Sequence, residues 1–381
     1  MKHVVYLLLP LFLFCSVSFA SRRDASPGLP SQEEVLAKME LANTYFMQKW
    51  PDTGKSIITN RERPSNIWTR GVYYEGLMAM HKIHPDTRLL DYAIAWGNAH
   101  KWGLRDGLRT RNADNQCCGQ TYLELYKMDP QPDRIRDIKA SVDLMLASEK
   151  IDDWNWIDAL QMAMPVFAHL GAITGEVRYY ERMFQMYNHS KTVEGGNGLF
   201  NPKDNLWWRD KDFVHPYAEP NGEDCYWSRG NGWVLAALVR VLEIMPANAP
   251  HRKEYLDMFK KMAKALLPIQ REDGFWNASL HDPGNFGGKE ATGTALFVYG
   301  MAWGINQGIL PARRYLPAVE KGWNALAKES VTPSGFLGYV QGTGKEPKDG
   351  QPVTLTSLPD FEDYGLGCLL LAGTEVWKLA Q

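Results

Sequence analysis

The chain has 381 residues, 45% of them hydrophobic and 23% charged, with a formal net charge of −2. That balance supports a large core, excludes a disordered or strongly basic chain, and so gives no footing for nucleic-acid binding. Its 14 tryptophans suit either a large helical core or the walls of a sugar site, where indole faces lie on the C–H faces of pyranoses.

At the N-terminus, Lys2 and His3 precede an apolar run over 4–14, and Ser18-Phe19-Ala20 offers a small-x-small cleavage site. This reads as a secretory signal over residues 1–20, with the mature chain starting near Ser21 in the periplasm or outside the cell. A lipoprotein anchor at Cys15 is the lesser reading, because bulky Phe14 before it disfavours processing there. No later run is long and apolar enough to span a bilayer. Cys117, Cys118, Cys225 and Cys368 show no C-x-x-C with histidine partners, so no zinc site is expected; the compartment permits a disulfide without the spacing implying one.

Next, Ser31-Gln32-Glu33-Glu34 opens a helix with a capping box. A nearly all-apolar helix follows from about Ile67 through Gly71-Val72-Tyr73-Tyr74-Glu75-Gly76-Leu77-Met78. An amphipathic helix over 86–102 comes after it. The alternation then repeats: buried from Cys118, amphipathic over 132–149; buried over 158–170, amphipathic over 175–189; buried from Gly230, amphipathic over 251–270; buried from Thr292, amphipathic over 313–329. A last buried helix starts near Tyr364. Helices apolar all round are core, and amphipathic ones face solvent on one side. Six of each, with no strand-period run long enough for a central sheet, predict an all-α (α/α)6 toroid of six inner and six outer helices. Residues 21–381 read as a single catalytic domain. Long connections over 194–228, 273–290 and 332–362 join outer to inner helices and so gather at one end, where functional loops are expected.

Four segments lead into inner helices and converge on that end: Asn66-Ile67-Trp68-Thr69-Arg70, Asn112-Ala113-Asp114-Asn115-Gln116, Trp154-Asn155-Trp156-Ile157-Asp158, and Tyr226-Trp227-Ser228-Arg229-Gly230-Asn231-Gly232-Trp233. Together they supply two carboxylates, two arginines and several indoles. Carboxylates serve as general acid and base, arginine holds a carboxylate, and tryptophan stacks on a sugar ring, so the set suits an anionic sugar. Structural roles compete at each position. Asp158 and Asp114 are also suited to helix N-termini, Arg229 to an ion pair with an acid such as Asp224, and Trp233 to the core. No Walker A, dinucleotide fingerprint, H-E-x-x-H or nucleophile elbow competes.

At Trp156-Ile157-Asp158-Ala159-Leu160-Gln161-Met162-Ala163-Met164-Pro165 and Trp227-Ser228-Arg229-Gly230-Asn231-Gly232-Trp233 the chain resembles the unsaturated rhamnogalacturonyl hydrolases, glycoside hydrolase family 105. Asp114, with Gly119 and Leu123 after it, is a looser match, and the unsaturated glucuronyl hydrolases of family 88 are related. The resemblance covers nearly the whole mature chain. It implies an enzyme that hydrates a 4-deoxy, C4=C5 unsaturated uronic acid at the non-reducing end of lyase-generated oligosaccharides. A single Asp protonates C4 and helps water attack C5; the hemiketal then rearranges and the glycosidic bond opens. By place in the motif that acid is Asp158, kept protonated by its apolar, Trp-lined wall and by nearby Asp114. Arg229 would hold the uronate or the water, and Trp68, Trp156, Trp227 and Trp233 would shape the subsite. Where some relatives carry a histidine, this chain reads Leu206-Trp207-Trp208-Arg209-Asp210, which puts Arg209, or His215 nearby, in place to bind the uronate. No metal or organic cofactor is expected. Two other readings stay open: an inverting glycosidase using Asp114 and Asp158, which needs their carboxyl groups about 6.5–9.5 Å apart, and a non-catalytic glycan-binding protein.

Overall fold

The computed structural model describes residues 28–58, 61–358 and 363–380. The expected signal over residues 1–20, with Cys15, lies outside them. The first helix, α1 (Gln32–Lys49), starts as its sequence dictates. Ser31 Oγ accepts from the Glu34 amide at 3.2 Å and Glu34 Oε2 accepts from the Ser31 amide at 2.8 Å, so two amides without helical partners are satisfied reciprocally. The remaining helices are α2 (Trp68–Ile83), α3 (Thr87–Ala99), α4 (Ala113–Gln116), α5 (Cys118–Met128), α6 (Asp133–Leu146), α7 (Asp158–Thr174) and α8 (Arg178–Thr192). They continue as α9 (Ser228–Ile244), α10 (Arg252–Leu266), α11 (Ala291–Asn306), α12 (Ala312–Ala325) and α13 (Tyr364–Leu379).

Six of these form a closed inner ring. Helices α2, α5, α7, α9, α11 and α13 each pack on the next, and α13 returns to α2. Outside them, α3 lies on α2, α6 on α5, α8 on α7, α10 on α9, α12 on α11 and α1 on α13. The all-α (α/α)6 toroid read from the alternation is therefore the fold. Among the described residues, strand structure amounts to two short hairpins, one joining Ile57–Ile58 to Glu62–Arg63 and the other Phe200–Asn201 to Leu206–Trp207.

Ring closure depends on residues without side chains. A Cβ at Gly76 of α2 would stand 2.5 Å from the Gly367 carbonyl oxygen, and one at Gly367 of α13 would stand 2.2 Å from that of Val72. Any larger residue forces the two backbones apart. The same pair is tied at its mouth end, where Asp363 accepts from Thr69 Oγ1 at 3.0 Å and ion-pairs with Arg70 Nε at 3.0 Å. Arg70 is thus a closure residue.

Several helix limits differ from the sequence reading, and two have a clear local cause. Gly175 ends α7 in a left-handed conformation, φ 74°, with its amide on the Gly171 carbonyl, so α8 begins only at Arg178. Asp86 caps α3 from outside by accepting from the Arg88 amide at 2.8 Å, and α3 stops at Ala99 because Lys101 and Trp102 have positive φ.

Helix α7 carries Pro165 in its interior. Proline brings no N–H, so the Gln161 carbonyl one turn earlier loses its helical donor. Gln120 of neighbouring α5 supplies it, donating Nε2 to Gln161 O at 2.7 Å. The proline and its compensating glutamine sit on two inner helices and fix them against one another.

Candidate active site

Asp158 is the first residue of α7 and is nine-tenths buried. No helix-capping hydrogen bond holds its carboxylate. It accepts instead from Arg209 Nε at 3.1 Å. The backbone explains this meeting: Trp156 and Asp210 form an antiparallel bridge, and the Ile157 amide donates to the Arg209 carbonyl at 2.9 Å. That pairing brings Arg209 beside the start of α7. The guanidinium also donates Nη1 to Asp210 Oδ2 at 2.7 Å, while Asp210 Oδ1 accepts from the Asp212 amide at 2.9 Å.

Asp114 lies on α4, the short helix packed against α7. Asn112 caps α4, its side chain accepting from the Asn115 amide at 3.3 Å, so Asp114 is free of the N-cap role that its position also suited. Burial pushes the Asp114 carboxyl up to about 6, with the Asp158 charge adding to the rise and Arg209 and Arg105 opposing it. The carboxyl that burial raises is thus Asp114, while Asp158 faces the Arg209 guanidinium. Asp114, Asp158 and Arg209 therefore form one electrostatic unit, two carboxylates and one guanidinium, and such a unit is suited to holding and passing a single proton.

The tryptophans divide. Trp68, at the first turn of α2, and Trp156, two residues before Asp158, are half-buried. Trp233 is fully buried and meets Trp68 edge-on with ring centroids 6.3 Å apart, so it backs Trp68 from the core. Trp227 is buried as well and donates Nε1 to Gln341 Oε1 at 2.9 Å.

Arg229 is not paired with the acid that the sequence suggested. It is 1% exposed, and it donates Nη1 to Gln341 O and Nη2 to Gly342 O, each at 2.7 Å, while its guanidinium lies between the Trp227 and Tyr364 rings. Asp224 is not its partner; that carboxylate accepts from Asn201 and Tyr226. Through these two bonds Arg229 anchors the 341–349 loop, and Arg209 is the arginine that donates to Asp158. His215 is exposed, and no contact described among these residues ties it to Asp114 or Asp158.

Gln341 was invisible to motif reading yet organises this loop. It is fully buried and donates Nε2 to the carbonyls of Glu346, Pro347 and Asp349 at 3.2, 3.1 and 2.6 Å. Asp210 was also missed, although its adjacency to Arg209 was a usable signal. Among the described residues no cluster of three or more His, Cys, Asp or Glu is arranged to hold a metal ion, and Cys117, Cys118, Cys225 and Cys368 are buried free thiols.

Comparison with known proteins places the chain in company. The family model described as Glycosyl Hydrolase Family 88 matches residues 38–380. An unsaturated 3S-rhamnoglycuronyl hydrolase from Formosa agariphila is 33% identical over 335 residues, 82% of this chain and 85% of that protein. One of the same name from Alteromonas sp. (strain LOR) is 31% identical over 369 residues, 91% of this chain and 85% of that one. A solved structure described as a glycosyl hydrolase family 88 protein from Bacteroides vulgatus is 32% identical, covers 92% of this chain and 100% of its own, and superposes with a TM-score of 0.82.

Proposed function

The chain belongs to Glycosyl Hydrolase Family 88, and on that premise we propose that Asp158 and Asp114 catalyse its hydration of unsaturated uronates. The protein is a glycoside hydrolase, and its substrate is the 4-deoxy, C4=C5 unsaturated uronic acid that ends an oligosaccharide made by a lyase. The observation that carries the residue assignment is the union of two carboxylates with one arginine at the start of α7.

The double bond is an enol ether, so a proton added at C4 leaves positive charge shared between C5 and the ring oxygen. The carboxylate pair stabilises that charge. In the free enzyme burial raises the Asp114 carboxyl, so that it takes up a proton more readily than an ordinary Asp, and Arg209 donates to Asp158. A bound uronate offers Arg209 a third carboxylate beside Asp158 and Asp210, and bidentate guanidinium geometry favours it. Asp158, released from Arg209, then carries the pair's proton to C4, and as a carboxylate it takes a proton from the water that adds to C5. The product is a hemiketal at C5. Its ring opens to the ketone, C1 loses its place in the ring, and the neighbouring sugar leaves without attack at C1. Trp68 and Trp156 give the ring apolar faces.

The experiment follows the ultraviolet absorbance of an unsaturated disaccharide with the wild type and Asp158→Asn side by side. The expected result is loss of the conjugated chromophore with wild type alone. Constant absorbance with wild type across rhamnogalacturonan, glucuronan and ulvan fragments overturns the hydration reading. We further propose export through the 1–20 segment; a mature N-terminus near Ser21 in the exported fraction supports it, and an intact Met1 there overturns it.

A further inference from the structure

Beyond the carboxylate pair, a cleft of about 350 Å³ opens between three loops of the chain. Its size lies at the lower end of the range for small-molecule sites, about 300–1,000 Å³. Tyr217 comes from the first loop, Asn285 and Phe286 from the second, and Glu346 and Lys348 from the third. Tyr217 and Phe286 are 37% and 42% exposed, among the most exposed large aromatics described. Leaving two rings in water has a cost that a ligand removes.

The polar part of the cleft is built rather than incidental. Glu346 is mostly buried; its Oε2 accepts from Tyr217 Oη at 3.2 Å and its Oε1 pairs with Lys348 Nζ at 2.8 Å. The loop beneath it is held by the three Gln341 bonds already described, and Gln341 in turn by Trp227 and Arg229. Asn285 is positioned by donating Nδ2 to buried Glu219 at 3.1 Å. So the residues on which the catalytic motif converges also fix the floor of this second cleft.

A chain of contacts links the lining of this cleft to the carboxylate pair. From Asp158 the contacts run to Arg209, to Asp210, and through the Asp212 amide to the Asp212 side chain, which accepts from Lys345 Nζ at 3.4 Å. Lys345 lies over the Phe213 ring, 5.4 Å from its centroid, and Phe213 meets Tyr217 edge-on at 5.1 Å. One loop thus bears Arg209 at one end and Tyr217 at the other.

We propose that this cleft binds sugar units of the substrate downstream of the unsaturated uronate, and that the enzyme therefore prefers oligosaccharides longer than a disaccharide. Two aromatic rings offer faces to sugar C–H groups, and a carboxylate, a lysine and an amide offer acceptors and donors to sugar hydroxyls, a combination that suits pyranoses better than a purely apolar ligand. The inference rests on the functional reading above, because only an end-on uronate sets which sugars fall here.

The test measures chromophore loss from an unsaturated disaccharide and an unsaturated tetrasaccharide of the same polysaccharide. Wild type should show a KM for the tetrasaccharide about 5–20-fold lower than for the disaccharide, on the scale of one or two aromatic contacts. Tyr217→Ala or Phe286→Ala should raise the tetrasaccharide KM towards the disaccharide value and leave disaccharide turnover unchanged. Equal wild-type KM values for the two lengths overturn the subsite, without recourse to any variant, while leaving the hydration reading standing. So does a variant that slows both substrates equally. No chromophore loss from either substrate overturns the hydration reading and the subsite together.

Discussion

Arg209 and Asp158 stand 3.1 Å apart, nitrogen to oxygen, although 51 positions separate them in the chain, and the same guanidinium reaches Asp210 at 2.7 Å. A single cation therefore serves two carboxylates before substrate arrives. If the uronate replaces Asp158 on Arg209, removing the guanidinium should weaken binding and leave Asp158 without its counter-charge. Arg209→Met is expected to lower kcat/KM about 10–100-fold, the worth of one charge-assisted hydrogen-bonded pair. Arg209→Lys should recover only part, since an ammonium cannot span two carboxylates. Steady-state kinetics on an unsaturated disaccharide check both.

Asp114 links activity to stability. Its carboxyl is raised from an ordinary 3.8 to about 6, so the folded state holds this proton more firmly than the unfolded chain. Its favourable contribution to folding is complete below about 3.8 and is lost as pH rises to about 6. Asp114→Asn removes the charge that burial opposes. At pH 7 it should stabilise the fold by about 1–3 kcal/mol and, at acid pH, make no difference, as measured by urea unfolding at the two pH values. The same variant should lose about 100-fold or more of kcat. Wild-type kcat/KM should fall as pH rises through about 6, where the pair gives up its shared proton.

Gln120 answers for Pro165. Gln120→Leu keeps the volume but leaves the Gln161 carbonyl unpaired in the core, and it should destabilise the protein by about 1–3 kcal/mol. Pro165→Ala returns an N–H to that carbonyl and should cancel part of the loss in the double variant, the rest being the buried Arg240 Nε that donates to Gln120 Oε1 at 2.8 Å. Thermal or urea unfolding of the cycle reads the coupling between the two positions.

Arg229 holds the 341–349 loop by two carbonyls. Arg229→Met, which keeps much of the packing between Trp227 and Tyr364, should free that loop without unfolding the ring. Limited proteolysis is expected to cut within 341–350 in the variant and to spare the wild type there.

The toroid was readable because its signal is repeated. Inner helices such as α11 are apolar all round and outer ones such as α12 are one-sided, and that difference survives when the letters diverge. Asp158 and Asp114 were readable because each stands just before or at the start of an inner helix, on the side where the loops gather. The backbone partners of Arg229 were not legible: an arginine in a tryptophan-rich motif has the same letters whatever its guanidinium meets. What decides is Gln341, 112 positions later, and no local pattern connects them. The pairing of Arg209 with Asp158 was hidden for a similar reason. It depends on the bridge between Trp156 and Asp210.

The closure of α13 on α2 sets an order of events. Among the described helices, the one that completes the ring comes last in the chain, and its partner is among the first. Until Tyr364–Leu379 is available, the ring has two open flanks, and the apolar faces of α2 and α11 that α13 covers stand bare. The earlier helices can pair with their neighbours as they form, yet the long-range contact that locks the structure waits until Tyr364–Leu379 has been made. A chain cut short by even this one helix therefore leaves an unclosed ribbon with exposed apolar edges, and such a ribbon is a target for aggregation and for proteases.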